Sequence, residues 1–293
     1  MVYSGGASKG AYQIGFTKAL LNYIDRDEIK MVSGASIGIF SAYALSANKL
    51  EEYEFLFKNI NIKNPIKLFI KVFANKYMQK VSDCFIDKKD CLQIPLCFPI
   101  SFLPFLNVNY YWMYGDVNYM WKKYILAGAQ FPFFKIFPSK IEKRLAIDGG
   151  ASDNIPIFPL LQKKSRPYID NELDLIIVLH FDSKFDYRKD FDVDIPILEL
   201  DLTISNKFKG NHFDFSTEYV NEMIEKGYEY GVKISERIFR NCKGKEEIQK
   251  EINDIFIEER SLRLKNISAD RLVSILNSTT KIIKKNNCIK YIF

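Results

Sequence analysis

The stretch Val32-Ser33-Gly34-Ala35-Ser36-Ile37-Gly38-Ile39-Phe40 decides how the rest of the chain is read. It has the form G-x-S-x-G, with an apolar lead-in and a helix-like run from Ile37 to Ala47 behind it. A serine between such glycines, on a sharp strand-to-helix turn, has the layout of a nucleophile elbow. Glycine lacks a Cβ, so neighbouring chain can approach closely there. The hydroxyl would project over the sheet edge, with the outward-pointing amides of the following helix beneath it. An ordinary Gly-rich βα turn carries the same spacing, so the motif needs partners elsewhere in the sequence.

Upstream, a short apolar start (Met1 to Ser4) runs into Gly5-Gly6-Ala7-Ser8-Lys9-Gly10. Ala11 to Ile24 then places Ile14, Gly15, Ala19, Leu20 and Ile24 on one helical face. The order is strand, Gly-rich loop, helix. A Walker loop fails because Ala11 and Tyr12 follow Gly10, and G-x-G-x-x-G fails because Gly5 and Gly6 are adjacent. What remains is a run of backbone amides at a helix start, suited to an anion or to the oxyanion of acyl transfer. The elbow follows soon after this helix, so the two strands are expected side by side with both turns opening at one sheet edge.

Downstream, Leu145-Ala146-Ile147-Asp148-Gly149-Gly150 reads as a short strand ending in a carboxylate at a tight turn, with Asn154 and Pro156 close behind. Leu173 to Phe181 is the clearest buried strand, and Ile195 to Leu200 reads as another. Helices are expected over Leu50 to Asn59, Thr217 to Ile238, Glu246 to Arg260 and Ala269 to Lys285. On the second of these, Val220, Met223, Ile224, Gly227 and Tyr228 share a face. Ile66 to Tyr77 fits either a core-facing helix with solvated lysines or an amphipathic membrane-contacting one. Leu92 to Val108 is apolar but interrupted by Pro95, Pro99 and Pro104. It reads as a buried irregular loop or as a lid over a greasy site.

With 293 residues, 47% of them apolar, the chain is long enough for one large α/β domain with a sizeable core. A net charge of +6 is a mild bias toward anionic partners such as phospholipid headgroups, without a nucleic-acid motif. The five cysteines are odd in number and form no C-x-x-C, so free thiols in a reducing, cytoplasmic setting are expected. No metal-ligand spacing is visible, and neither a cofactor nor calcium is expected. Met1 leads straight into a strand, which gives no sign of a signal peptide, and no apolar run is long enough to span a bilayer.

Together, SGGASKGAYQIG, the GASIG block and DGGASDNIP resemble the signature blocks of the patatin-like phospholipase family. The resemblance covers roughly residues 1 to 180. It implies a three-layer α/β/α sandwich with a mostly parallel central sheet, here with added C-terminal helices. The chain is read as one acylhydrolase domain over 1–293, with a motif-bearing core over 1–205 and a helical portion over 206–293. The resemblance also implies lipid acyl hydrolysis by a Ser–Asp dyad. Carried over by motif, Ser36 is the nucleophile, Asp148 its base, and the amides of Gly5, Gly6 and Ala7 the oxyanion hole. Lys9, Gly10, Gly34, Gly38, Gly149 and Gly150 support these blocks. The third glycine of the family's loop is Ala7 here, which shifts the hole by one residue if that position needs a positive φ. Gly128 stands where the family often has serine.

The chemistry can be argued from the residues alone. A serine hydroxyl needs a base to take its proton, and the chain has only two histidines, His180 and His212. A carboxylate is a weak base in water, but burial raises its pKa toward neutrality. His180, at the end of the strongest strand, is the rival base or a buried structural residue. Lys9 either attracts a lipid phosphate or is solvated. The substrate expected is a phospholipid or lysophospholipid at a peripheral membrane surface. The competing readings are an acyltransferase or thioesterase with the same site, and a non-catalytic lipid-surface protein.

Overall fold

Hydrogen bonds tie β1 (Val2–Tyr3) and β2 (Val32–Gly34) side by side and parallel, with Val2 opposite Ser33 and Tyr3 opposite Gly34. The computed structural model describes residues 1–61, 63, 85–129, 139–161, 166–168, 172–182, 184–187, 195–203 and 213–265. On its other edge β1 pairs in parallel with β7 (Ile176–His180), which pairs in parallel with β8 (Ile197–Asp201). β2 pairs in parallel with β3 (Cys91–Phe102). β4 (Asn107–Asp116), β5 (Ser139–Ile141) and β6 (Arg144–Asp148) add antiparallel pairings, giving an eight-stranded, mixed, mostly parallel sheet.

Successive strand residues face opposite sides of the sheet. Val2 and Val178 join Ile155, Ile157, Leu160, Ile176 and Ile197 in a core on one face. Tyr3 points the other way, and its hydroxyl lies 2.9 Å from Thr17 on α1 (Gly10–Leu20). The sheet is therefore covered on both faces, as the α/β reading requires. The connection from β1 through α1 to β2 is a parallel crossover, and α2 (Ile37–Ser46) and α3 (Leu50–Ile60) lead from β2 toward β3. α4 (Tyr119–Gly128) follows β4, the short α5 (Phe158–Leu161) follows β6, and α6 (Thr217–Ser235) follows β8. Among the described residues no helix is long and apolar enough to cross a membrane.

α6 crosses α1 at backbone contact. A Cβ on Gly15 would lie 1.9 Å from the Ile224 carbonyl oxygen, and one on Gly227 would lie 2.2 Å from that of Tyr12. Larger residues there would force the helices apart, at about 1–3 kcal/mol or more. Burial on α6 follows Val220, Met223, Ile224 and Gly227, but continues to Gly231 and Ile234 rather than to Tyr228. Tyr228 is exposed, and its hydroxyl accepts from Asn22 at the rim.

β3 departs from the irregular segment that the prolines suggested. It is a long strand forming a hairpin with β4, and three strands share its two edges. β4 pairs along its length. On the opposite edge, Leu96 and Cys97 hold β2 while Ile100 to Phe102 hold β6. Pro99 falls between those two pairings, so its missing amide interrupts neither. Pro95 lies where the β3–β4 register shifts. Proline marks the breaks in this ladder, rather than the absence of one.

The chain divides into two compact units, 1–252 and 253–293. In the second, residues 253–265 are helical. The helix expected over Ala269 to Lys285 lies outside the described residues, as do Ile66 to Tyr77, Cys84, Cys288 and His212. Cys91, Cys97 and Cys242 are free thiols.

Candidate active site

The β3 junction brings two distant segments together. Ser33 is level with Cys97, which sets Ser36 near the level of Ile100, and Ile100 pairs with Asp148. β2 and β6 run toward each other along the same edge of β3, and Ser36 follows the end of one as Asp148 closes the other.

Ser36 sits at φ 52° and ψ −124°, a left-handed conformation that a non-glycine residue adopts only at a cost. The ladder reaches one step past β2, since the Ala35 amide donates to Tyr3 O at 3.1 Å. Helix α2 then starts at once, with Gly38 N donating to Ala35 O and Ile39 N to Ser36 O. The flanking glycines are fixed by close approach: a Cβ at Gly34 would lie 2.2 Å from Gly38 O, and one at Gly38 would lie 2.3 Å from Tyr3 O. Ser36 is half-buried, so its hydroxyl remains reachable.

Asp148 is buried. Its Oδ1 accepts the Gly150 amide at 2.8 Å, capping the 3-10 turn Gly149–Ala151. Its Oδ2 has no hydrogen-bond partner among the described residues. Burial pushes this carboxyl up to about 6, while the nearby Ser36 hydroxyl and the Gly150 amide pull in the opposite direction. A Cβ placed on Gly150 would sit 3.0 Å from Asp148 Oδ1, 3.6 Å from Ser36 Cβ and 2.7 Å from Asn154 Oδ1. Three side chains thus converge on one glycine. Gly149 packs on the Pro99 carbonyl, where no Cβ would fit.

The loop after β1 closes the third side. A Cβ on Gly5 would lie 2.9 Å from Ser36 Cβ. The Gly5 amide differs from the expectation of a free donor: it donates to Asn154 O at 3.2 Å, and Asn154 Nδ2 donates back to Gly5 O at 3.4 Å. The amides of Gly6, Ala7 and Ile37 make no backbone hydrogen bond among the described residues. Ala7 holds φ 51°, so alanine occupies the left-handed position at which glycine is easier. The free donors are therefore displaced by one residue from the loop's first glycine.

Lys9 is neither solvated nor at the surface. It is 5% exposed, with Nζ 5.4 Å from the Phe181 ring centroid; burial lowers its pKa, and nearby Asp201 opposes that shift only in part. Phe181 also packs on Gly6, where a Cβ would lie 2.6 Å from its ring. Gly10 abuts Ile37 of the serine turn. Gly128 abuts Pro99 O and Ile39, leaving little room there for a side chain such as serine.

His180 is fully buried and turned toward β8. Its Nδ1 accepts the Asp182 amide at 3.3 Å, its Nε2 lies 3.4 Å from Glu199 Oε1, and its ring meets Phe185 edge-on. None of these contacts reaches Ser36 or Asp148.

Two latches had no signature in the sequence. Ser33 Oγ donates to Pro156 O at 2.7 Å, tying β2 to the segment after Asp148. Tyr110 on β4 donates to Asp153 Oδ2 at 2.7 Å, and Asp153 N donates to Gly149 O. Only strand pairing brings these residues together. Among the described residues no group of three His, Cys, Asp or Glu is placed to hold a metal ion.

A hydroxyl on a strained turn, a buried carboxyl with one unbonded oxygen and a set of unpaired amides can together receive an acyl group. Residues 1–82 match the family model of the patatin-like phospholipases. The match takes in the Gly5–Gly10 loop and Ser36 but stops short of Asp148. That family comprises lipid acyl hydrolases, and the likeness supports this general class. No curated protein matches the chain.

Proposed function

We propose that the chain is a serine acyl hydrolase that cleaves carboxylic esters of phospholipids or lysophospholipids, with Ser36 as nucleophile and Asp148 as base. The observation that carries this reading is the unbonded Oδ2 of buried Asp148 beside Ser36. Burial lifts the carboxyl toward neutrality, so at pH 7 it is ionised yet basic enough to accept a proton. Ser36 Oγ attacks the ester carbonyl as its proton passes to Asp148. The amides of Gly6, Ala7 and Ile37 face the developing oxyanion. Collapse expels the alcohol, which takes the proton from Asp148. Water then attacks the acyl-serine as Asp148 takes its proton, and collapse releases the fatty acid as that proton passes from Asp148 to Ser36 Oγ, restoring both groups.

Gly5 serves a different role here: its pairing with Asn154 fixes the loop against the Asp148 turn. Labelling with a fluorophosphonate probe, followed by measurement of fatty acid released from phosphatidylcholine, tests the reading. Covalent labelling at Ser36 with ester cleavage is expected, both absent in Ser36→Ala. A wild-type chain that neither labels nor releases fatty acid refutes it.

A further inference from the structure

Two hairpin tips project from the sheet edge that carries Ser36 and Asp148. β3 runs parallel to β2 and continues past Ile100, so its turn to β4 rises beyond the level of the site. β6 begins level with the end of β3, with Ala146 opposite Phe102, so the turn from β5 to β6 rises beside it. The tips are joined, because Leu103 N donates to Leu145 O at 2.9 Å. Ser152 Oγ donates to Leu106 O at 2.6 Å, fastening the first tip to the loop that follows Asp148.

The residues at these tips are unusual for solvent. Phe105 is 82% exposed, Leu106 43% and Leu145 42%. Leu106 holds φ 56°, a turn position where Gly, Asn or Asp would be less strained and more soluble. Exposed Lys140, Lys143 and Arg144 stand next to them. Glu142 is the one acid in that turn, and it receives the Tyr111 and Tyr124 hydroxyls and Arg144. Three cations against one anion leave this rim positive by two. Apolar side chains flanked by positive charge fit a lipid surface with anionic headgroups, the apolar part entering the acyl boundary while the cations meet phosphates.

We infer that the Phe105–Leu106 tip, with Leu145 and the cations Lys140, Lys143 and Arg144, is a docking edge for an anionic lipid surface. Docked this way, the protein presents the Ser36–Asp148 edge to the membrane. From Ile100 to Phe105 is five residues, at most about 16 Å of extended strand, so a lipid need move only a short distance out of the leaflet. The assignment rests on the proposed reading that the substrate is a lipid.

Vesicle co-sedimentation of the full chain carrying Ser36→Ala, which leaves the lipids intact, tests it. Binding to phosphatidylcholine vesicles containing phosphatidylglycerol is expected to exceed binding to phosphatidylcholine alone. Adding Phe105→Asp with Leu106→Asn should weaken it at least tenfold, and Lys140→Glu with Lys143→Glu should remove the preference for phosphatidylglycerol. In the Ser36-intact chain, Phe105→Asp with Leu106→Asn should leave turnover of a soluble short-chain ester within about twofold, which shows that the tip variant folds. Unchanged vesicle binding in the tip variants overturns the inference. So does a chain that ignores vesicles, or one that instead self-associates through this edge. Vesicle binding that follows the tips in a chain with no esterase activity would sustain the docking edge and overturn the proposed chemistry.

Discussion

Ser36 and Asp148 approach each other from opposite directions along one edge of β3, Ser36 at the end of a strand parallel to it and Asp148 at the end of an antiparallel one. Two strands that share an edge can be drawn together only as far as the gap between them allows. Here the gap spans Phe98 and Pro99, and Gly149 fits directly on the Pro99 carbonyl. The separation of hydroxyl and carboxyl is thus set by strand register rather than by loops.

Asp148→Asn should be inactive and more stable. Burial raises this carboxyl from 3.8 to about 6. The folded chain therefore binds the proton more tightly than the unfolded chain, and stability declines as pH rises from about 4 to about 6. At neutral pH the ionised group costs roughly 3 kcal/mol, from the size of the shift. Asparagine is neutral, and its oxygen can still cap Gly150. Thermal melts should give a higher Tm for Asp148→Asn at pH 7, with the advantage fading near pH 4. A variant that melts lower at pH 7 contradicts the argument.

The pH dependence of kcat/KM on a soluble ester should follow the same group. Asp148 acts as base only when ionised, so the rate should fall about tenfold per pH unit below about 6. A profile that stays flat down to pH 4.5 rules Asp148 out as the base.

Replacing His180 with alanine separates structure from catalysis. The side chain faces buried Glu199 and the Asp182 amide. Its loss leaves the Asp182 amide without its acceptor and opens a cavity beside Glu199, at about 2–3 kcal/mol. Fluorophosphonate labelling of Ser36 should persist, and turnover should stay within about tenfold. Loss of labelling in a folded His180→Ala protein would instead indicate a Ser–His–Asp relay.

Ala7→Gly should be close to neutral. Glycine relieves the left-handed strain at this position, worth about 1 kcal/mol. It also adds conformational freedom to the unfolded chain, worth about 0.4–1 kcal/mol in the other direction. Denaturant midpoints should barely move, and kcat should stay within about threefold. A large loss of kcat would mean that the alanine methyl itself shapes the site.

Much of this arrangement was legible before any coordinates. The motif glycines mark close approaches of backbone, as Gly34 and Gly38 show, and the apolar runs mark β7 and β8. The parallel pairing of β1 with β2 followed from the short crossover between them. β3 was not legible, because proline argues against a strand unless the ladder is known to break there. The burial of Lys9 was equally hidden: a lysine at a helix start reads as a phosphate contact or as solvated until Asp201 and Phe181 arrive from β8 and the end of β7. The engaged amide of Gly5 depends on Asn154, a partner that only the fold supplies.

The place of β1 has an evolutionary and practical corollary. The family-matched segment contributes strands from the middle of the sheet, and their outer neighbours, β3 and β7, are encoded later in the chain. Excised on its own, that segment would present two bare strand edges and invite self-association. The most recognisable stretch of this gene product is therefore the part least able to survive as a fragment, and dissection of the protein should begin at its far end.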